Sequence, residues 1–479
     1  MAEPVSEPGD KIERGTWLAL IAMALGVFVI ANDFTALSVA IPNIEHDLGT
    51  SLTTAQWVIN GYALVFGVLI VPGGRLADLY GRKRMFMIGA TIFSVFSLAS
   101  GLMPTVELLI AGRALMGVGG ALMWPAILGM TYGLLPEDKA GLAGGLILGV
   151  AGLGNAIGPL LGGVLTDEFS WRWVFFINLP VTAFAMIVTQ LEVTETRAEA
   201  AERRIDYRGI AVLSLGLVAV LLALDEGPDV GFATAAILIL FAIAAVALVS
   251  FVFVERKQGS AALVPSDVLR NPVFAAACAT VLLMSAIFFS ALLYLPQFFE
   301  KVLGFSALGA GEGLLPMMGV YAVTSFVAGG LYNRLGARVV VASGAITLAL
   351  GMFVLSFLDA DSSYASLVPG LVILGIGIGL FYSSITTVGV TALDPSRSSL
   401  AGGIIYMCQI AGGAVGLGLN TAIVASQDTL SEGISVAFRV DAFLAVIGFF
   451  VVLRFVHGAN ESTPVPLTAS HRHRHCANA

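Results

Sequence analysis

Charge is what this chain has least of. Only 12% of its 479 residues are Asp, Glu, Lys or Arg, while 57% are apolar. Soluble domains carry about 25% charged residues. A mean hydropathy of +0.92 therefore excludes an ordinary soluble globule and points to a membrane protein. Cysteine is nearly missing. Cys278, Cys408 and Cys476 are scattered, which excludes a disulfide framework or a thiolate metal site. Cys278 and Cys408 read as small apolar packing residues. No Gly-Lys dipeptide occurs, so the chain holds no P-loop. No nucleophile, metal-ligand or acid–base constellation marks an enzyme, and the expectation is no catalytic residue, no metal, no cofactor and no nucleic-acid partner. His46 and His457 lie near span ends. His471, His473 and His475 fall in the segment Ser470 to Cys476, which reads as a disordered basic tail in preference to a weak metal site.

What the chain has is long apolar runs. A helix crossing a bilayer needs about 20 mostly apolar residues. Fourteen such runs are present: 16–41, 54–72, 84–103, 106–134, 140–165, 173–191, 207–224, 233–254, 271–295, 309–332, 338–358, 364–393, 399–426 and 439–456. The first, from Trp17 to Ile41, is too long for a signal-peptide core and no small-residue cleavage site follows it, so it is expected to be retained. With both termini cytoplasmic, the outward loops carry only Arg172, Lys301 and Arg439. Arg113 lies inside a span, and the remaining 20 of the 24 Lys and Arg fall on the cytoplasmic side. That asymmetry is the positive-inside pattern.

The chain also repeats itself. Leu142-Ala-Gly-Gly145 recurs as Leu400-Ala-Gly-Gly403, and the same register pairs Gly112 with Gly370, Gly154 with Gly412 and Gly158 with Gly416. Gly74-x-Leu76 with Gly81 pairs with Gly329-x-Leu331 and Gly336. The paired spans are 2, 4 and 5 against 10, 12 and 13, an offset of eight helices. The pattern predicts an all-α membrane protein built as six helices, two inserted helices, then six more: a bundle at 1–191, linkers and the inserted pair at 192–270, a second bundle at 271–456 and a cytoplasmic tail at 457–479. Parallel repeats about an axis normal to the membrane describe the major facilitator fold. The inserted pair is almost purely aliphatic, is expected to face lipid, and is joined by a turn over Asp225–Asp229.

Deviations from the repeat mark candidate function. Arg113 pairs with Leu371, Asn155 with Gly413, Pro159 with Leu417 and Asp78 with Asn333. Each time the N-terminal half holds the chemically active residue, so proton handling is expected mainly there. Asp33 is an ionisable residue within a span, which marks an ion path or a paired site. Both Asp33 and Arg113 lie eight residues from the outer ends of their predicted spans, roughly 12 Å deep, and are expected to form either a water-accessible, proton-exchanging pair or a static buried one. Glu312 is either a second acidic site or a helix-end residue. Trp57, Asn60, Trp124, Asn155, Tyr294, Tyr382 and Gln409 are candidates for lining a substrate cavity, with interface anchoring the alternative for the aromatic ones.

Four motifs carry a family resemblance. Gly149-Val-Ala-Gly-Leu-Gly154-Asn155-Ala-Ile-Gly158-Pro159 resembles the antiporter signature of drug exporters of the major facilitator superfamily. Its glycines permit close helix approach, and its proline bends the helix. Gly74-Arg-Leu-Ala-Asp78-Leu-Tyr-Gly81-Arg82-Lys83-Arg84 resembles the superfamily's cytoplasmic loop, in which the glycines, Asp78 and Arg82 form a conformational brace. Arg113-Ala-Leu-Met-Gly117-Val-Gly119-Gly120 resembles the fourth-helix motif, whose arginine is implicated in proton transfer. Asn32-Asp33-Phe34-Thr35 through Pro42 is similar to the first-helix motif of drug:proton antiporters, departing from the commonest form at Asn32, Phe34 and Ala36. With fourteen spans, the resemblance is to the EmrB/QacA-type branch. It implies a multidrug efflux antiporter of a bacterial inner membrane, taking lipophilic drug-like substrates, exchanging them for protons and needing no cofactor beyond the proton gradient. The alternatives are a dedicated exporter of one antibiotic or metabolite, an uptake symporter, or a non-transporting sensor.

Overall fold

The computed structural model describes residues 13–196, 206–258 and 262–456. The His-rich segment 470–476 lies outside them, as does most of the charge run between Glu195 and Arg204. Among the described residues, fourteen helices are long and apolar enough to cross a membrane. Their main elements are α1 Arg14–Leu48, α2 Leu52–Tyr80, α3 Arg82–Leu102, α4 Val106–Leu134, α5 Ala140–Glu168, α6 Asn178–Glu192 (its span starting at Trp173), α7 Tyr207–Val230, α8 Ala235–Gln258, α9 Pro272–Lys301, α10 Leu315–Leu335, α11 Ala337–Leu355, α12 Tyr364–Thr391, α13 Ser398–Ala425 and α14 Leu430–Phe455. Short helices Trp173–Phe176 and Ala307–Glu312 lead into α6 and α10.

Polar residues punctuate the apolar runs. Thr105, Ser363 and Thr429 each accept from the backbone nitrogen three residues on, opening α4, α12 and α14, and so satisfy amides that a helix start leaves unpaired. Asn271 does the same for Val273 and Phe274 at 3.0 and 3.1 Å, opening α9. Gly81 and Gly336 stop α2 and α10 at positive φ, 113° and 83°. A residue with a Cβ enters that region at a steric cost. The repeated glycines therefore encode the same sharp turn in both halves.

The packing obeys the eight-helix offset. In the first half α1 packs on α5 and α6, α2 on α4, and α3 on α4 and α6. In the second half α9 packs on α13 and α14, α10 on α12, and α11 on α12 and α14. The halves meet through α5 against α10 and α2 against α13, again an equivalent pair. The inserted α7 and α8 pack on each other, and α7 also lies on α2 and α13. The inserted pair is thus not wholly lipid-facing: α7 covers the seam between the halves.

Three expectations need correction. Asp225–Asp229 is helical, completing α7, and the connection to α8 is the tight turn Gly231–Thr234, closed by a 3.1 Å backbone bond. Composition suggested a turn there, but the segment is the polar last turn of an overlong helix. Helix α1 runs on to Leu48 through Pro42, so Asp33 lies fifteen residues from its end, about 23 Å, and not 12 Å. Arg439 is not in a loop. It is an exposed residue of α14, which starts at Leu430. Glu312 is a helix-end residue: it closes the short helix that leads into α10, near the start of the span, and is exposed.

Candidate functional site

Asp33 and Arg113 meet in the middle of the N-terminal half. One guanidinium nitrogen of Arg113 is bonded to Asp33 Oδ2, both side chains being fully buried. Nε donates to the Val58 carbonyl at 2.9 Å. The other carboxylate oxygen accepts from Asn178 Nδ2 at 3.2 Å, and Asn178 also donates to Ser97 Oγ at 3.2 Å. Five helices, α1, α2, α3, α4 and α6, are thereby joined around one carboxylate. The guanidinium lies over the Tyr62 ring at 4.3 Å, an arrangement that favours the cation, yet its second terminal nitrogen has no protein partner. The pair is sealed, not water-accessible. An isolated buried charge is expensive, so removing either partner is costly. Asn178 and Ser97 were not foreseen. The amide at the start of α6 carried a signal, because a polar residue inside a span needs a partner.

The glycine signature holds this site in place. A Cβ on Gly154 would stand 3.0 Å from Ala31 Cβ and 3.1 Å from the Phe28 carbonyl, and one on Gly158 would collide with Thr35. Gly154, Gly158 and Gly162 thus press α5 against α1 on either side of Asp33. Pro159 sits within α5, facing Gly311 just ahead of α10. A second glycine row on α5 faces the other half. A Cβ on Gly141 would stand 2.5 Å from the Gly329 carbonyl, and one on Gly145 would be 2.9 Å from that of Ser325. The repeat supplies the mirror contact: Gly74 approaches the Ser399 carbonyl, and Gly403 that of Ile70.

Asp78 closes the same seam on the face bearing the basic loop. Its oxygens accept from the backbone nitrogens of Ser399 at 3.3 Å and Leu400 at 2.8 Å. They also accept Arg82 Nε and one terminal nitrogen, both at 3.1 Å. Arg82 bonds onward to the carbonyls of Gly129 at 3.0 Å and Pro395 at 2.5 Å. The negative side chain sits at the first turn of α13, where free amides and the helix dipole favour an anion. The Glu195 carboxylate serves the start of α3 alike, through the nitrogens of Lys83 and Arg84.

The candidate cavity residues make different contacts. Trp57 and Asn60 line a cavity of about 150 Å³ with Leu221, Leu224 and Ile410, between α2, α7 and α13. Trp124 instead packs on Tyr406, ring centroids 4.5 Å apart. Tyr382 is buried against Ser285 at 3.0 Å, and Tyr294 bonds Thr421 at 2.8 Å. Asn155 and Gln409 are half-buried, on α5 and α13. An acid buried within a span also escaped the sequence reading: Asp441 on α14, both of whose oxygens accept Asn420 Nδ2 at 3.1 Å.

Two six-helix bundles related by an eight-helix offset, closed against each other on one face and holding a buried charge pair, define the fold of a multi-pass membrane transporter. The chain belongs to the Major Facilitator Superfamily, whose family model matches residues 23–417 and 314–477, and stands among its drug-efflux members. It is 33% identical to the multidrug resistance protein Stp of Mycobacterium tuberculosis (strain CDC 1551 / Oshkosh), over 87% of this chain and 77% of that one. It is 31% identical to the tetracenomycin C resistance and export protein of Streptomyces glaucescens, over 88% and 78%. It is also 31% identical to the puromycin resistance protein pur8 of Streptomyces alboniger, over 89% and 84%. The human organic anion transporter MFSD10 (TETRAN) shares the fold, with a TM-score of 0.66 at 14% identity, over 92% of this chain and all of that one.

Proposed function

We propose that this protein is a proton-driven antiporter of a bacterial plasma membrane, with both termini cytoplasmic, exporting lipophilic drug-like compounds. The observation that carries the reading is the buried Asp33–Arg113 pair, braced by Asn178. A carboxylate at that depth is neutral when protonated and charged when paired, so proton binding and the Arg113 contact exclude one another. Once the halves open outward, protonation of Asp33 from that side weakens its hold on Arg113 and on the helices that the pair joins. Rocking of the halves then exposes the proton to the cytoplasm, where its loss restores the pair. The Asp78 contact to α13 stabilises the arrangement closed on the basic face.

A second reading is a dedicated exporter of one antibiotic. Two of the relatives are named for resistance to a single compound, and the Trp57–Asn60 cavity is small and walled mainly by aliphatic groups. The deciding experiment uses proteoliposomes with an imposed pH gradient and a panel of cationic and neutral compounds, following efflux and proton flux together. Antiport requires proton entry that starts with substrate addition. A panel in which one compound alone moves protons selects the dedicated exporter, and transport of any compound without proton movement rejects the coupling.

A further inference from the structure

Asp441 is fully buried in α14, eleven residues from its start at Leu430, about 17 Å along the helix. Unlike Asp33, it forms no ion pair among the described residues. Its two oxygens share a single amide nitrogen, Asn420 Nδ2, at 3.1 Å each, while the Asn420 carbonyl oxygen is buried and has no partner. The Ser290 hydroxyl borders the carboxyl from α9. The place is not arbitrary. In the N-terminal half the coupling carboxyl sits where α1 meets α6. In the C-terminal half the equivalent helices are α9 and α14, and there the acid has changed sides, from the first helix of the pair to the second.

The hydrogen-bond inventory is incomplete as an anion and complete as an acid. A carboxylate only accepts, so the Asn420 carbonyl oxygen is left without a donor, a costly state in a buried site. A protonated Asp441 supplies that donor. After a rotation of the amide, its O–H donates to Asn420 Oδ1 while the amide N–H donates back to the acid's carbonyl oxygen, and every polar atom of the pair is used. We propose that Asp441 is a second proton-binding carboxyl of this transporter, held by Asn420 in the C-terminal half. One aqueous proton adds to one carboxylate oxygen, no other bond changes, and the site passes from charge −1 to neutral. Other titratable groups near it are few. Tyr294 on α9 is engaged by Thr421 at 2.8 Å. Arg439 is exposed and two residues away, some 200° around α14. α13 carries Tyr406 and Cys408, more than three turns below Asn420. On α11 the titratable residue is Arg338 at the far end, bonded to the Leu453 carbonyl at 2.5 Å.

The inference adds a coupling role only if the antiport reading holds, and the experiment separates the two. Infrared difference spectra of the purified full-length protein are recorded over about pH 4 to 10, for the parent, Asp441→Asn and Asp33→Asn. The expected result is a pH-dependent protonated-carboxyl band that Asp441→Asn removes and Asp33→Asn keeps. A parent spectrum with no band lost in Asp441→Asn overturns the proposal. In proteoliposomes with ethidium as the probe, Asp441→Asn should lower the accumulation ratio about tenfold at a gradient of one pH unit, because each exchanged proton contributes a factor of ten per unit. An unchanged ratio and pH profile in Asp441→Asn overturns the coupling role. A parent that moves ethidium without protons, yet shows the band, defeats the antiport reading and leaves the proton site standing. The isosteric Asn420→Leu variant checks the pairing: the band should shift in frequency while the carboxyl survives.

Discussion

Asp78 of the N-terminal half accepts a 2.8 Å hydrogen bond from the backbone nitrogen of Leu400, the first residue of the repeated Leu-Ala-Gly-Gly segment of the C-terminal half. A side chain in one repeat thus caps a helix in the other, and the bond exists only while the basic face is closed. Hydrogen bonds to charged groups contribute about 1.5–3 kcal/mol. Asp78→Asn should therefore shift the equilibrium away from that closed arrangement by a factor on the order of ten or more. The check is accessibility of a cysteine placed at Ser396, which should rise in Asp78→Asn at unchanged expression. Unaltered labelling would show that the closure does not depend on this bond.

The two glycine rows of α5 predict different failures. Gly158→Leu pushes on Thr35, two residues from Asp33, and should abolish proton-coupled export by disturbing the Asp33–Arg113 pair. Gly145→Leu pushes on Ser325 and Gly329 of the other half and should hold the basic face open, leaving Asp33 undisturbed. Crosslinking between cysteines at Leu142 and Tyr332 reports closure: it should persist in Gly158→Leu and disappear in Gly145→Leu. The reverse pattern would mean that the rows have exchanged roles.

Breaking a buried ion pair from one side costs about 3–5 kcal/mol, because the remaining charge is stranded. Asp33→Asn leaves the Arg113 cation buried, and Arg113→Gln strands the anion. Each single variant should lose thermal stability in detergent, and the double variant should regain most of it. None of the three should show substrate-induced proton flux. Full flux in the stable double variant would remove the pair from the coupling mechanism, and Asp441 would then be the next candidate.

The repeat and the motif loops were legible because they are local: glycine spacing, a positive-φ turn at Gly81, a charge inside an apolar run. Asp33 and Arg113 announced themselves by the cost of burying a charge. Asp441 carried the same signal, but the asymmetry at Arg113, Asn155 and Pro159 drew attention to the first half. What could not be read was partnership across the chain. Trp124 and Tyr382 are apolar-run aromatics whose partners, Tyr406 and Ser285, are set by tertiary packing. Nor does the aliphatic sequence of α7 reveal that it lies on the seam beside Trp57 and Asn60, since Leu221 and Leu224 serve lipid and cavity equally well.

Orientation decides the direction of every step above, and it follows from loop charge. The sequence between the spans on the face of Arg82, Lys83 and Arg84 carries nearly all the basic residues, and with fourteen crossings α1 begins and α14 ends on that face. The positive-inside rule supports the proposal that this face is cytoplasmic. A cysteine replacing Thr234, in the turn between α7 and α8, should then react with an impermeant maleimide on intact cells. One replacing Glu195, beside Lys83 and Arg84, should react only after permeabilisation. Native Cys278, Cys408 and Cys476 are first changed to Ser so that labelling reports one site. Placing the probe at Thr234 matters, because Asp225–Asp229 belongs to α7 and is a helix end, not the connection. Labelling at Glu195 but not Thr234 on intact cells would invert the protein. The Asp78 closure would then seal the outside, and the proton gradient would drive the same machinery as an importer.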